Sequence, residues 1–294
     1  MPSQAMPAAE TPIDLPLVRR LLEDQHPDLA GVPLRELAHG WDNVTVRVGD
    51  AWTARLPRRE LAVPLVRNEQ RVLPQLAPRL PLAIPVPERI GAPACGYPWP
   101  WSLCRFLPGR IAALAPPVDP DAAAAALGAF LAALHQPAPL DAPENAVRGV
   151  PLSTRDEAMQ ARLDALGLPD TDAIQAQWNA AIALPPWARP PVWLHGDLHP
   201  ANLLVHEGRL AAVIDFGDVT SGDPATDLAV AWMLLPSRAH SRFRAAAGDV
   251  DQSTWARARG WALFFAVTYL AHSRDNATMR EIGQSTLARL LAEA

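Results

Sequence analysis

The sequence predicts an α+β protein in two lobes, β-rich to about residue 107 and mainly helical over 108–294. Two observations carry this prediction. Short runs of β-favouring residues, "VTVRVG" and "AWTARLP", lie in the first hundred positions and are separated by turn residues. Beyond Asp119 the apolar spacing becomes helical, and the Asp-Pro start of a helix occurs twice. The change falls near Pro108-Gly109, so a cleft between two lobes is the expected place for a site.

The elements follow in chain order. "IDLPLVRRLLEDQ" places Ile13, Leu17, Leu21 and Leu22 on one helical face. "VPLRELA", "VTVRVG" and "AWTARLP" are strands, and Gly49-Asp50 between the last two signals a hairpin. Pro64 opens a helical segment, "PLVRNEQRVLPQL", which Pro74 is expected to bend or end. The proline-rich passage "PLAIPVPERIGAPACGYPWP" suggests extended connectors, and "WSLCRFL" is a strand stopped by Pro108-Gly109. In "DPDAAAAALGAFLAALHQ", Asp119 is the N-cap and Pro120 the first helical residue. "TDAIQAQWNAAIA", "GDPATDLAVAWMLLP" up to Pro236, "STWARARGWALFFAVTYLAHS" and "ATMREIGQSTLARLLAEA" complete the helices. There is no internal repeat.

Composition excludes several classes. With 49% hydrophobic and 19% charged residues, the chain is globular rather than disordered. A formal net charge of −5 lacks the basic stripe of a nucleic-acid binder. No apolar run approaches the roughly 20 residues of a membrane span, and "MPSQAMPAAETPIDLP" is not patterned as a signal peptide. Cys95 and Cys104 cannot build a disulfide framework, so the cytoplasm is the expected compartment. All 26 cationic residues are arginine, so any task usually given to a lysine amine falls to guanidinium.

The chemistry concentrates in "HGDLHPANLLVHEGRLAAVIDFGD", His195 to Asp218. Asp197 and Asn202 lie on a loop stiffened by Pro200. "LLV", the turn "HEGR" and "LAAVID" form a hairpin that returns Asp215 toward that loop. Asn202 and Asp215 then present hard oxygens to one point, as Mg²⁺ requires. Asp197 stands beside them, able to accept the proton of an attacking hydroxyl. His195 is expected to order the loop, Asp223 to cap a helix, and Asp227 to lie against the loop's backbone. A zinc hydrolase using His195, His199 and Asp197 with His206 or Asp215 is disfavoured, because Pro200 prevents a helix presenting the first two histidines together. A serine hydrolase is disfavoured because no G-x-S-x-G occurs.

"HGDLHPAN" has the form of a kinase catalytic loop, and "IDFGD" matches the kinase metal motif. With "GDPATDLA" downstream, the chain resembles the aminoglycoside phosphotransferase family, the small-molecule branch of the protein-kinase-like fold. "LRELAHGWDNVTVRVGDAWTARLPR", Glu69 and "YPWPWSLCRFLPG" extend the resemblance over most of residues 33 to 235. It implies a nucleotide-binding lobe with hinge (1–107) and a catalytic, acceptor-binding lobe (108–294). ATP and Mg²⁺ are the implied cofactors, and the partner is a small-molecule hydroxyl, with neither nucleic acid nor membrane.

By this resemblance Asp197 is the catalytic base, and Asn202 and Asp215 hold magnesium. Arg105, Phe106 and Leu107 form the hinge for adenine. Arg55 takes the place of the strand lysine that contacts phosphate, and Glu69 orients it. The usual glycine-rich loop is reduced to Gly40. The last helices, with Trp255, Trp261, Phe264, Phe265 and Tyr269, border the acceptor pocket, though much of their apolar content packs the core. An aminoglycoside-type antibiotic is the first acceptor; a macrolide, choline, homoserine or sugar-like metabolite is the alternative. The sparse glycine loop and Arg55 also motivate a nucleotide-binding pseudokinase. The sequence does not determine ATP against GTP, or the oligomeric state.

Overall fold

The computed structural model describes residues 8–293. Helix α1 (Leu15–Gln25) starts behind Asp14, whose carboxylate accepts the Leu17 N–H at 2.7 Å. Strands β1 (Leu34–His39), β2 (Asn43–Val48) and β3 (Trp52–Pro57) precede helix α2 (Val63–Leu76), and β4 (Pro87–Gly91) and β5 (Trp101–Arg105) follow it. These strands form one antiparallel sheet in the order β1-β2-β3-β5-β4.

The period of two decides what each face does. Val44, Val46, Val48, Trp52, Ala54 and Leu56 lie on one face and bury against Leu17, Val18, Leu21 and Leu22 of α1. The valine and leucine side chains among them each contribute about 1.5–3 kcal/mol by leaving water. Arg55, between Ala54 and Leu56, must therefore point to the opposite face, where α2 carries Glu69.

The rest is mainly helical. Strand β6 (Arg110–Ile111) leads to α3 (Pro120–Leu134), α4 (Asp156–Leu166) and α5 (Thr171–Ile182). Strands β7 (Val192–Leu194), β8 (Leu203–His206), β9 (Arg209–Val213) and β10 (Thr220–Gly222) come next. The chain ends with α6 (Ala225–Leu228), α7 (Val230–Leu234), α8 (His240–Ala246), α9 (Gln252–His272) and α10 (Ala277–Ala292). Helix α9 is buried around its whole circumference, packed by α4, α5, α6 and α10. Among the described residues no helix is long and apolar enough to cross a membrane.

The structure differs from the sequence expectations in several places. Strand β4 lies inside the proline-rich passage. It is an edge strand opened by Pro87, where a missing N–H is tolerated, and Gly91 admits the Trp101 ring, which a Cβ would meet at 1.9 Å. Helix α4 buries only Met159 and Leu163, and α8 only Phe243, so neither shows a clear apolar stripe in the sequence. Pro74 sits in the last turn of α2, and the helix ends two residues on, at Leu76. The stretch after Pro224 is interrupted at Ala229, giving α6 and α7 in place of one helix.

Candidate active site

Two short ladders and one hairpin fix the central loop. Strand β7 delivers His195, and β10, paired with it antiparallel (Leu194 opposite Thr220), carries the chain away after Asp218. Between them, β8 and β9 are joined through Glu207 and Gly208, both at positive φ (49° and 78°), the geometry of a tight type I′ turn. The hairpin closes the motif: the Ile214 N–H donates to the Asn202 carbonyl at 2.9 Å, which sets Asp215 next to the loop.

Buried polar groups hold the loop's own backbone. Asp227, fully buried, accepts the N–H groups of His195 at 2.8 Å and Gly196 at 2.9 Å. His195 accepts the Asp197 N–H through Nδ1 at 3.2 Å, leaving Nε2 to donate to the Ile214 carbonyl at 3.0 Å. It therefore orders the loop from beneath, inaccessible to any ligand. His199 caps the turn at Pro200–Asn202 by accepting the Ala201 N–H at 3.2 Å. Asp223 accepts the Ala225 N–H at 3.0 Å and forms a buried pair with Arg257 (2.7 and 3.3 Å).

Asp197 is the carboxylate this scaffold leaves facing the cleft, its side chain 26% exposed. Burial pushes its pKa up, but His199 Nε2 at 3.3 Å from Oδ2 and Arg148 at 3.2 Å from Oδ1 outweigh this. The net result is a carboxyl held below the ordinary range, ionised at neutral pH. Its neighbour Asp218 is pushed the other way, first by burial and then by the Asp197 charge, while accepting from Asn145 at 2.7 Å.

Asp215 adopts a left-handed backbone (φ 64°) that turns its 59%-exposed side chain toward the sheet. Its Oδ1 meets the Arg55 guanidinium at 3.2 Å across 160 residues of chain. Arg55 also stands 3.1 Å from Glu69 Oε1, an ion pair by distance without hydrogen-bond alignment. Burial raises the Glu69 carboxyl to about 7, with Arg55 opposing the rise.

The donor set suits a divalent cation. The Asn202 amide nitrogen is engaged with the Asp197 carbonyl at 2.9 Å, and its oxygen has no protein donor among the described residues. Asp215 uses only Oδ1 on Arg55. Two hard oxygens therefore remain available at positions linked by the Ile214–Asn202 bond, with solvent and phosphate oxygens to complete a shell. The zinc arrangement does not form: no cluster of three or more His, Cys, Asp or Glu fit to hold a metal is present among the described residues, and His206 is exposed.

The remaining predicted residues lie at the two ends of the sheet. The Phe106 N–H donates to the Ala51 carbonyl at 2.8 Å, so that amide is not available to a ligand, and Arg47 lies 3.1 Å over the Phe106 ring. Arg105 turns outward to Glu88 (3.0 Å) and stacks on Trp52, leaving only its backbone for hinge contacts. Leu107 follows, half-buried. Gly40 sits in the β1–β2 turn, its N–H on the Asn43 carbonyl and its own carbonyl receiving Arg58 at 2.8 Å.

Arg148 was not foreseen. It lies in the connector before α4, outside any periodic segment, and only its packing 4.9 Å over Phe265 brings it to Asp197. The aromatic residues of α9 divide. Tyr269 stands edge-on to His199 and Phe265 stacks on Tyr269, beside the loop. Trp255 packs on Phe243, while Trp261 and Phe264 are core residues with Phe264 stacked on Trp178.

Known proteins resemble this chain over most of its length. The model of a family described as phosphotransferase enzyme family matches residues 33–261. An aminoglycoside 3'-phosphotransferase of Escherichia coli is 43% identical over 58 residues, 20% of this chain and 21% of that one. The matched part is thus about a fifth of that relative's length. In the solved GDP complex of aminoglycoside 2'-phosphotransferase-IIIa, 98% of the chain superposes on 94% of this one, with TM-score 0.72 and 22% identity. The macrolide 2'-phosphotransferase of Brachybacterium faecium superposes with TM-score 0.59 and 24% identity over 93% of this chain and 98% of its own. At these identities the two structures establish the shared two-lobed fold.

Proposed function

The chain belongs to the phosphotransferase enzyme family, and on that premise we propose that it transfers the γ-phosphoryl group of a nucleoside triphosphate, ATP first, to a hydroxyl of a small molecule. The observation that carries the reading is the meeting of Arg55 and Asp215 at 3.2 Å. It brings a cation of the sheet and a carboxylate of the hairpin to one point, beside a loop that holds Asp197 ionised.

Arg55 binds phosphate oxygens, bidentately where a lysine would offer a point charge, and Glu69 holds it in place. Asn202 and Asp215 would hold magnesium, which when bound neutralises phosphate charge. Asp197 orients the acceptor hydroxyl and takes its proton. A carboxylate kept this acidic is a modest base, which suits a reaction whose barrier is lowered chiefly by positioning and electrostatics. Arg105 and Leu107 offer backbone groups to the purine. The candidate acceptors are an aminoglycoside-type compound, a macrolide or another hydroxylated metabolite.

Asp197→Ala tests the reading. Turnover falls by about 10²–10⁴-fold, and nucleotide affinity stays nearly intact. Asp215→Ala instead loses the magnesium-dependent part of nucleotide binding. Wild-type turnover in Asp197→Ala would show the base to be wrongly assigned. A chain that binds nucleotide and turns over no acceptor would be a pseudokinase.

A further inference from the structure

We propose that the acceptor carries an anionic group, a carboxylate or phosphate, held by Arg148, Arg155 and Arg162 beside the hydroxyl that Asp197 receives. This rests on the reading of Asp197 as the acceptor-side base and names the substrate class that reading leaves open.

Three guanidinium groups gather against two adjacent rings of α9. Arg148 lies 4.9 Å from the Phe265 centroid, while Arg155 and Arg162 lie 5.4 and 5.0 Å from that of Phe264. One carboxylate serves all three. Arg148 gives a single N–H to Asp197, and its buried Nε has no acceptor. The Arg155 side chain makes no hydrogen bond or ion pair among the described residues, and its Nε is buried as well. Arg162 reaches only the His272 ring at 3.2 Å and the Ala158 carbonyl at 2.8 Å.

Packing alone does not account for this. A cation over a ring contributes about 0.5–2 kcal/mol, whereas like charges this close oppose one another. Burial first, and the neighbouring arginines second, make Arg155 and Arg162 easier to deprotonate than usual. A bound oxyanion removes that repulsion and satisfies the idle donors. Of the three, Arg148 also lines a 450 Å³ cavity, together with Glu144, Asn145 and Ser221. The Tyr269 hydroxyl, without a partner among the described residues, lies in the field of Arg148 as well as of Asp197 and Asp218.

The test uses the full chain saturated with magnesium and a non-hydrolysable ATP analogue, so that the nucleotide phosphate site is filled. Sulfate is titrated by calorimetry. Wild type binds it, and Arg155→Gln/Arg162→Gln weakens that binding by about tenfold or more. The lysine pair at the same positions restores part of it. The melting shift with nucleotide alone confirms that each variant is folded. No sulfate binding to wild type, or equal binding to the glutamine variant, overturns the proposal. So does an amine-bearing acceptor that the glutamine variant phosphorylates as fast as wild type. Asp197→Asn separates the two readings: if it turns over acceptor like wild type, the parent reading fails whatever sulfate does.

Discussion

Asp227 offers the sharpest check on how the loop is held. Its carboxylate accepts two buried N–H groups, from His195 and Gly196, at 2.8 and 2.9 Å, with His135 Nε2 at 3.2 Å from the same side chain. Hydrogen bonds to a charged group contribute about 1.5–3 kcal/mol each, so Asp227→Ala costs about 3–6 kcal/mol, most of a domain's stability. Asp227→Asn is the informative variant. It keeps the shape and one accepting oxygen, loses the other to an NH₂ group, and costs about 1.5–3 kcal/mol. The released loop shifts Asp197 relative to the cleft, and displacements near 1 Å reduce turnover by up to about 10²-fold. Arg55, Glu69 and Asp215 are not attached to Asp227, so the nucleotide KM stays within about twofold while kcat falls. Urea denaturation and steady-state kinetics on the same preparation measure both effects. Wild-type stability together with wild-type kcat in Asp227→Asn would refute the claim that this carboxylate holds the loop.

Other outcomes follow from the same geometry. Glu69, raised to about 7 by burial against the opposing Arg55, keeps its proton in the folded state to higher pH than in the unfolded chain. Stability therefore falls as pH rises from the ordinary carboxylate value through about 7, and Glu69→Gln flattens that slope in urea melts. Nucleotide affinity rises over the same interval, since only ionised Glu69 pairs with Arg55; an unchanged profile in Glu69→Gln would exclude this titration. Gly196→Ala places a Cβ 2.3 Å from the Asp218 carbonyl at a φ of +87°, and kcat drops further than nucleotide affinity. Arg257→Leu leaves the Asp223 charge buried and alone, costing about 3–5 kcal/mol, and Asp223→Asn in the same chain recovers part of it in thermal melts.

Much of the site was legible before folding because its parts are close in the chain. Asp197, Asn202 and Asp215 share one loop and one hairpin, and a hairpin's register follows from its turn and alternation. The side of Arg55 was likewise set by strand period, since Ala54 and Leu56 had to face α1. The order of β-rich and helical parts followed from periodicity of the same local kind. Tertiary structure alone decided what meets across long separations: Arg148 on Asp197, Asp227 under His195, and which α9 aromatics reach the loop. Those contacts depend on side chains in connectors or on a helix apolar on every face, where no sequence period favours one direction. The lowered pKa of Asp197 draws on both kinds: His199, two positions away in the same loop, contributes first, while the field of Arg148, 49 positions away, exists only once packing has placed it.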